Sequence, residues 1–277
     1  MIAYPLGVGG VRTRVLEAGR GDAVVVLLHG LGARADRWRL NLDPLAAAGY
    51  HAYALDFPGH GFADKGADFP YGVPGYAAFV ADFMRAQTID RAALVGTSLG
   101  GHVAAWLACE QPEAVGALVL VGTLGLAPLG AEARRVMAAS VQETSRAGIE
   151  RKLRYVLGDH QFTTEEWIDE EYRINNSPGA REAFARLAAY LVDDAGLVAH
   201  GVAARLAALV PRIPTVLVWG KADAAVPLAV GEQGSAALGG VPLVTLDGAG
   251  HLPYLERADE FNATVVDFLG GPASRTR

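Results

Sequence analysis

Apolar and polar positions along the chain follow two rhythms that take turns. Short, nearly unbroken apolar runs stand at residues 24–28, 50–55, 92–95, 117–121, 214–220 and 242–246. They are too short for helices and too uniformly apolar for strands with one wet face, so they predict strands covered on both faces. Residues 11–17 alternate in part and predict an early strand, closed by a turn at 19–22. Between the runs, apolar residues fall at helical spacing. Trp38, Leu42 and Leu45 mark a helix over 36–48, and Phe79, Val80, Phe83 and Met84 mark one over 76–87. Further helices are predicted over 102–110, 227–238 and 259–269. This alternation predicts a mostly parallel central sheet flanked by helices.

The alternation breaks between residues 125 and 209. No strand-like run occurs there, and amphipathic helical stretches occupy 131–157, 164–174, 178–191 and 197–209. Thr163, three residues before Glu166, predicts a capping box, and Ser177-Pro178 predicts a cap followed by a proline in the first turn. The chain therefore divides into an α/β core, 1–124 and 210–277, and an inserted helical cap, 125–209. The tail over 270–277, rich in Gly, Pro, Ser and Arg, is expected to fray.

With 277 residues, 51% of them apolar, the chain is long enough for one large α/β core with an insertion. A net charge of −6 without any basic block argues against nucleic acid or an acidic membrane surface as a partner. The single cysteine, Cys109, cannot form an internal disulfide, and its place in an alanine-rich helix predicts a buried, inert thiol. No apolar run approaches a membrane span and no basic leader precedes one, which predicts a cytoplasmic protein.

The chemistry gathers at strand ends. In Gly96-Thr97-Ser98-Leu99-Gly100 an apolar run stops at glycine, a serine follows, and an alanine-rich helix begins two residues later. A strand–turn–helix of this kind holds the serine hydroxyl out at the sheet's edge, and the flanking glycines permit the tight turn. Asp223 and His251 follow later strands, in the chain order Ser98, Asp223, His251. A serine hydroxyl is a poor nucleophile and needs a base, His251, whose tautomer an acid, Asp223, would hold. The oxyanion formed on attack needs preorganised donors, for which the Leu99 and Leu31 N–H groups are the candidates. Asp247 is a weaker alternative to Asp223. Asp56 reads as a loop tie, and His29, His60 and His102 read as local hydrogen-bonding residues. No histidine–carboxylate set has metal spacing, and no phosphate-binding or dinucleotide loop is present. Neither metal nor cofactor is expected.

Five segments carry a resemblance: HGLG at 29–32, DFPGHG at 56–61, GTSLGG at 96–101, WGKAD at 219–223 and GAGHLPYLE at 248–256. In order and spacing they resemble the α/β-hydrolase superfamily over essentially the whole chain. The resemblance implies the α/β-hydrolase fold, a small-molecule substrate and a size compatible with a homodimer. Ser98 separates the chain from haloalkane dehalogenases and epoxide hydrolases, which use an aspartate at this turn. The leading expectation is a serine hydrolase that cleaves an ester of a small, largely apolar substrate. The alternative is a C–C hydrolase acting on a ring-cleavage-type dienol ketone, which the closing segment 258–269 resembles. That second resemblance implies a substrate-binding arginine in the cap, and Arg173 is the nearest match. It also calls for asparagine and tryptophan where this chain has Thr97 and Leu252; these two, with Gly30, are expected to line the pocket. A third reading is a non-enzymatic small-ligand receptor on the same fold.

Overall fold

The apolar runs form the middle of a single sheet in the computed structural model, which describes residues 1–270. The tail expected to fray lies, past Gly270, outside the described residues. The strands are β1 (Ile2–Val8), β2 (Val11–Ala18), β3 (Ala23–Leu28), β4 (Tyr50–Leu55), β5 (Ala92–Thr97), β6 (Val115–Val121), β7 (Thr215–Gly220) and β8 (Leu243–Leu246). Their order is β1-β2-β4-β3-β5-β6-β7-β8. β1 runs antiparallel to β2 and β2 antiparallel to β4, while every pairing from β4 to β8 is parallel. Along β3, Val26 and Leu28 join one buried cluster and Val25 and Leu27 the other. Both faces are thus covered, which explains why these strands read as continuous apolar runs.

The helices are α1 (Leu42–Ala47), α2 (Val73–Ala86), α3 (Leu99–Glu110), α4 (Ala131–Gln142), α5 (Arg146–Val156), α6 (Glu165–Asn175), α7 (Ala180–Val192), α8 (Ala203–Ala207), α9 (Leu228–Ala237), α10 (Pro253–Glu256) and α11 (Ala258–Gly270). Among the described residues no single helix is long and apolar enough to cross a membrane. Cys109, in α3, is half-buried and not fully buried as expected, and burial pushes its thiol pKa up, which disfavours the thiolate.

Several expectations change in the structure. Strand β1 was not expected, because Pro5 and Gly7 interrupt its apolar pattern; both are tolerated on an edge strand. The helix expected over 36–48 is broken into a short turn at Ala35–Trp38 and α1. Trp38 is wholly buried there and stacks on Tyr254 at 3.9 Å, and this contact overrides helical continuity. The stretch 131–157 is two helices, with Ser145 accepting from Gly148 N at 3.1 Å to start the second. The cap of α6 is Thr164, which accepts from Trp167 N at 3.2 Å, and not Thr163. Ser177 donates back to Ile174 O at 2.7 Å and caps nothing ahead of it; Gly179, at φ 80°, precedes α7 instead.

The insertion, α4 to α8, leaves the sheet after β6 and returns before β7. Buried charge ties it to the core. Glu171 on α6 accepts from Arg34, from Arg37 Nη2 at 2.5 Å, from Trp167 Nε1 at 3.3 Å and from Asn175 Nδ2 at 3.1 Å. Burial would raise its pKa, but Arg37, Arg34 and Lys152 together hold it down at about 2. Removing one partner of such a cluster leaves uncompensated buried charge, so Glu171→Gln is expected to cost about 3 kcal/mol in urea unfolding. Because the folded pKa lies below the ordinary 4.5, the stabilisation is present above that pH. It is lost as pH falls toward about 2, so the wild-type advantage over Glu171→Gln should shrink across that window.

Candidate active site

Strand β5 delivers Ser98 at the point where the chain must reverse into α3. Ser98 has φ 53° and ψ −117°, a region non-glycine residues rarely adopt. Its N–H is anchored to Val121 O at 2.9 Å and its carbonyl accepts from His102 N at 3.1 Å. The flanking glycines are required by close approach. A Cβ at position 96 would lie 2.4 Å from Gly100 O, and one at position 100 would lie 2.3 Å from Leu28 O. The turn stores strain of about 1–3 kcal/mol, held by the packing around it.

Asp223 lies just past β7 and His251 just past β8. Asp223 Oδ1 accepts from Ala225 N at 2.9 Å and Val226 N at 2.8 Å, which aims Oδ2 at His251 Nδ1, 2.7 Å away. Both residues are buried. Burial acts to lower the His251 pKa, but the charge and hydrogen bond of Asp223, with help from Glu256, raise it above 6.5 overall. Asp247 plays no part in this pair: its side chain is exposed and meets Lys221 at 2.6 Å.

Glu256 holds the histidine loop in place, and the motif reading gave it no role. Its Oε1 accepts from Gly250 N at 3.0 Å and Leu252 N at 3.3 Å, on either side of His251. Its Oε2 accepts from Gly158 N at 2.7 Å and Asp159 N at 2.9 Å, just past α5. His251 N itself donates to Val156 O at 2.7 Å. The histidine loop is thus bonded to the insertion. An acid five residues after the histidine was the available signal, but its partners are backbone groups that no side-chain pattern records.

The loop after β3 forms the opposite wall. His29 Nε2 accepts from Phe57 N at 2.9 Å, so its proton sits on Nδ1 and is donated to Gly30 O at 2.8 Å. Burial drives the His29 pKa down to about 3 and keeps the ring neutral. Asp56 accepts from Ala35 N at 2.7 Å and Phe62 N at 2.9 Å, tying this loop to the one after β4. Gly30 packs against Ser98, where an added Cβ would lie 3.1 Å from the serine Cβ. Leu99 is the first residue of α3, where N–H groups have no acceptor within the helix.

Ser98 and His251 open on one cavity of about 440 Å³, together with Gly30, Leu31, Thr97 and Leu252. Met137 and Val141 of α4 and Leu153 and Val156 of α5 supply apolar wall from the insertion. Arg173 is not on this wall. It is exposed on α6, while Glu171, two residues earlier, is the side chain that turns inward. The expectation for Arg173 is corrected for that geometric reason: positions two apart on a helix face different ways. Seven polar wall residues escaped the sequence reading, among them Arg37, Glu143, Arg151, Lys152 and Tyr254. A lysine in an amphipathic helix carries no signal that separates it from a solvated one.

Sheet order, the positive-φ serine turn and the Asp223–His251 pair define the α/β-hydrolase class. The chain belongs to that family, whose alpha/beta hydrolase fold matches residues 23–258. It is 33% identical over 264 residues to the dihydrolipoyllysine-residue acetyltransferase component of the acetoin cleaving system of Cupriavidus necator, covering 95% of this chain and 68% of that protein. It is also 33% identical over 263 residues to the 2-hydroxy-6-oxo-6-phenylhexa-2,4-dienoate hydrolase of Comamonas testosteroni, covering 91% of this chain and 89% of that one. Among solved structures, a bacterial membrane phospholipase A superposes with a TM-score of 0.85 at 25% identity, covering 100% of this chain and 87% of that one. The chain is an enzyme of the α/β-hydrolase fold, which sets the receptor reading aside.

Two outcomes are expected from this geometry. Gly100→Ala should lower the urea midpoint by the equivalent of roughly 3 kcal/mol or abolish soluble expression, because its new atom meets backbone and not a movable side chain. An NMR titration should place the His251 pKa above 6.5 in the wild type. In Asp223→Asn it should fall below the wild-type value, since burial then acts with less opposition. An unchanged value would mean that Asp223 does not set the charge of His251.

Proposed function

We propose that the protein is a serine hydrolase that cleaves an ester bond of a small, largely apolar substrate, with residues 125–209 acting as the cap over its site. The observation that carries this reading is that Ser98, at its strained turn, and His251, bonded to Asp223, face one apolar cavity. His251 takes the Ser98 proton on Nε2 as Oγ attacks the ester carbonyl, and Asp223 stabilises the imidazolium. The Leu31 and Leu99 N–H groups receive the oxyanion. Collapse breaks the C–O bond, and the alcohol leaves with the proton from His251. Water then attacks the acyl-enzyme, gives its proton to His251 and releases the acid, and Ser98 regains its proton. No cofactor enters this scheme.

The second reading is hydrolysis of a C–C bond next to a ketone. Identity to the Comamonas testosteroni hydrolase favours it. Thr97 and Leu252 weigh against a standard ring-cleavage substrate, because both line the cavity where that resemblance calls for asparagine and tryptophan.

Turnover of a p-nitrophenyl short-chain ester is the direct test. Ser98→Ala should lower kcat by about 10⁴-fold or more, because the three groups act as a unit. Near-wild-type activity would remove Ser98 from the nucleophile's role. The base must be neutral, so kcat/KM should fall as pH drops through a value above 6.5. Asp223→Asn should lose most of its activity while folding normally. A dienol-ketone acid assayed beside the ester decides between the two readings: faster turnover of the ketone acid would favour C–C cleavage.

A further inference from the structure

The cavity has two ends, and α5 runs along its wall from one to the other. At the oxyanion end the loop after β3 meets the insertion: a Cβ on Gly32 would lie 3.6 Å from Lys152 Nζ and 3.7 Å from Val141 Cγ2. At the histidine end Val156 O accepts from His251 N at 2.7 Å. Tyr155, the residue before Val156, lines the cavity there with Ala225. The core residues on the wall, Thr97, Ser98, His251 and Leu252, are buried, whereas Tyr155 is 48% exposed and Ala225 partly exposed. The histidine end therefore opens to solvent beside the Tyr155 ring.

That ring is held from both sides of the opening. The Tyr155 hydroxyl donates to Ala224 O at 2.6 Å, crossing from the insertion to the turn that follows Asp223. The turn is itself fixed by Asp223 Oδ1, which accepts from Ala225 N and Val226 N. On the insertion side, Glu256 Oε2 holds Gly158 N and Asp159 N just past α5. A phenol tied down in this way is a bar across the opening, where an untied surface tyrosine would turn freely.

The reaction decides which half of an ester meets the bar. His251 must hand its proton to the departing alcohol oxygen, so the alcohol half lies on the histidine side. The carbonyl oxygen points toward the Leu31 and Leu99 N–H groups, and the acyl half takes the wall along Met137, Val141 and Leu153. We propose that Tyr155 is a specificity-determining residue for the alcohol half of the substrate and selects esters of small, unbranched alcohols. This deepens the serine hydrolase reading of the same cavity and rests on it.

Acid release at constant pH by the whole protein tests the proposal with two series of esters. One varies the alcohol at fixed acyl group: methyl, butyl and cyclohexylmethyl butyrate. The other varies the acyl group at fixed alcohol: methyl acetate, butyrate and octanoate. The wild type should favour methyl over cyclohexylmethyl butyrate in kcat/KM. Tyr155→Ala should narrow that ratio about tenfold or more, the scale on which a pocket discriminates by bulk, and leave the ratios of the acyl series unchanged. Ratios within one variant cancel any general loss of activity from a loosened Asp223 turn, which a merely structural role would also produce. Tyr155→Leu serves if the alanine variant does not fold. An unmoved alcohol ratio overturns the proposal, as does an equally large change in the acyl series. If the wild type turns over no ester of either series, the hydrolase reading fails and the proposal with it. If it turns them over and the alcohol ratio does not respond to Tyr155, the proposal alone falls.

Discussion

The backbone reversal at Ser98 is the constraint on which the rest of the site depends. A non-glycine residue at positive φ persists only where its surroundings over-determine it. Here Ser98 N is tied to Val121 O on the neighbouring strand, and α3 starts at once on the far side. The helix can lie so close to the strand ends because positions 96 and 100 carry no Cβ. β3 and β6 flank β5, so the reversal also sets what stands beside the serine: the loop after β3 on one side and the segment after β6 on the other. In an open parallel sheet the crevice lies where successive connections leave in opposite directions. That point falls beside β3, since the chain passes from β3 to β4 on one side and then crosses to β5 on the other.

Around that turn, two carboxylates perform different mechanical jobs. Glu171 links α6 to Arg34 and Arg37 of the core through buried charge. Glu256 links the histidine loop to the end of α5 through backbone N–H groups alone. The first fixes where the insertion sits, and the second fixes where His251 sits relative to it. The cavity is what remains between them. The apolar wall on its insertion side follows from which side chains those two ties turn inward, Met137, Val141, Leu153 and Val156.

The helical region illustrates where periodicity stops being informative. The pattern over 131–157 reads as one amphipathic stretch, yet Ser145 finds a capping geometry and divides it. Thr163 has the acid at the capping-box distance, Glu166, yet the folded backbone selects Thr164, which accepts from Trp167 N. Arg173 and Glu171 differ by two positions on α6, so an error in the helix's rotation exchanges exposed for buried. Strand β1 was hidden for another reason: an edge strand needs no continuous apolar face, and Pro5 and Gly7 are compatible with its position.

The sequence by itself determined the parallel sheet, the order of the strand-end residues and the family. Buried strands must be apolar throughout, and a strand–turn–helix reversal must be built from glycine and one small polar residue, so both leave a local record. The pairing of His251 with Asp223 was legible as chain order, and the structure supplied its 2.7 Å geometry. Only the tertiary structure decided which insertion residues reach the cavity, that Glu256 straps the histidine loop, and that Lys152 Nζ is buried beside Glu171 with no hydrogen-bond partner among the described residues. These depend on helix rotation and on contacts between residues about a hundred positions apart, such as Glu256 with Gly158. A long charged side chain in an amphipathic helix has the same local pattern whether it meets water or a pocket, and only packing separates the two.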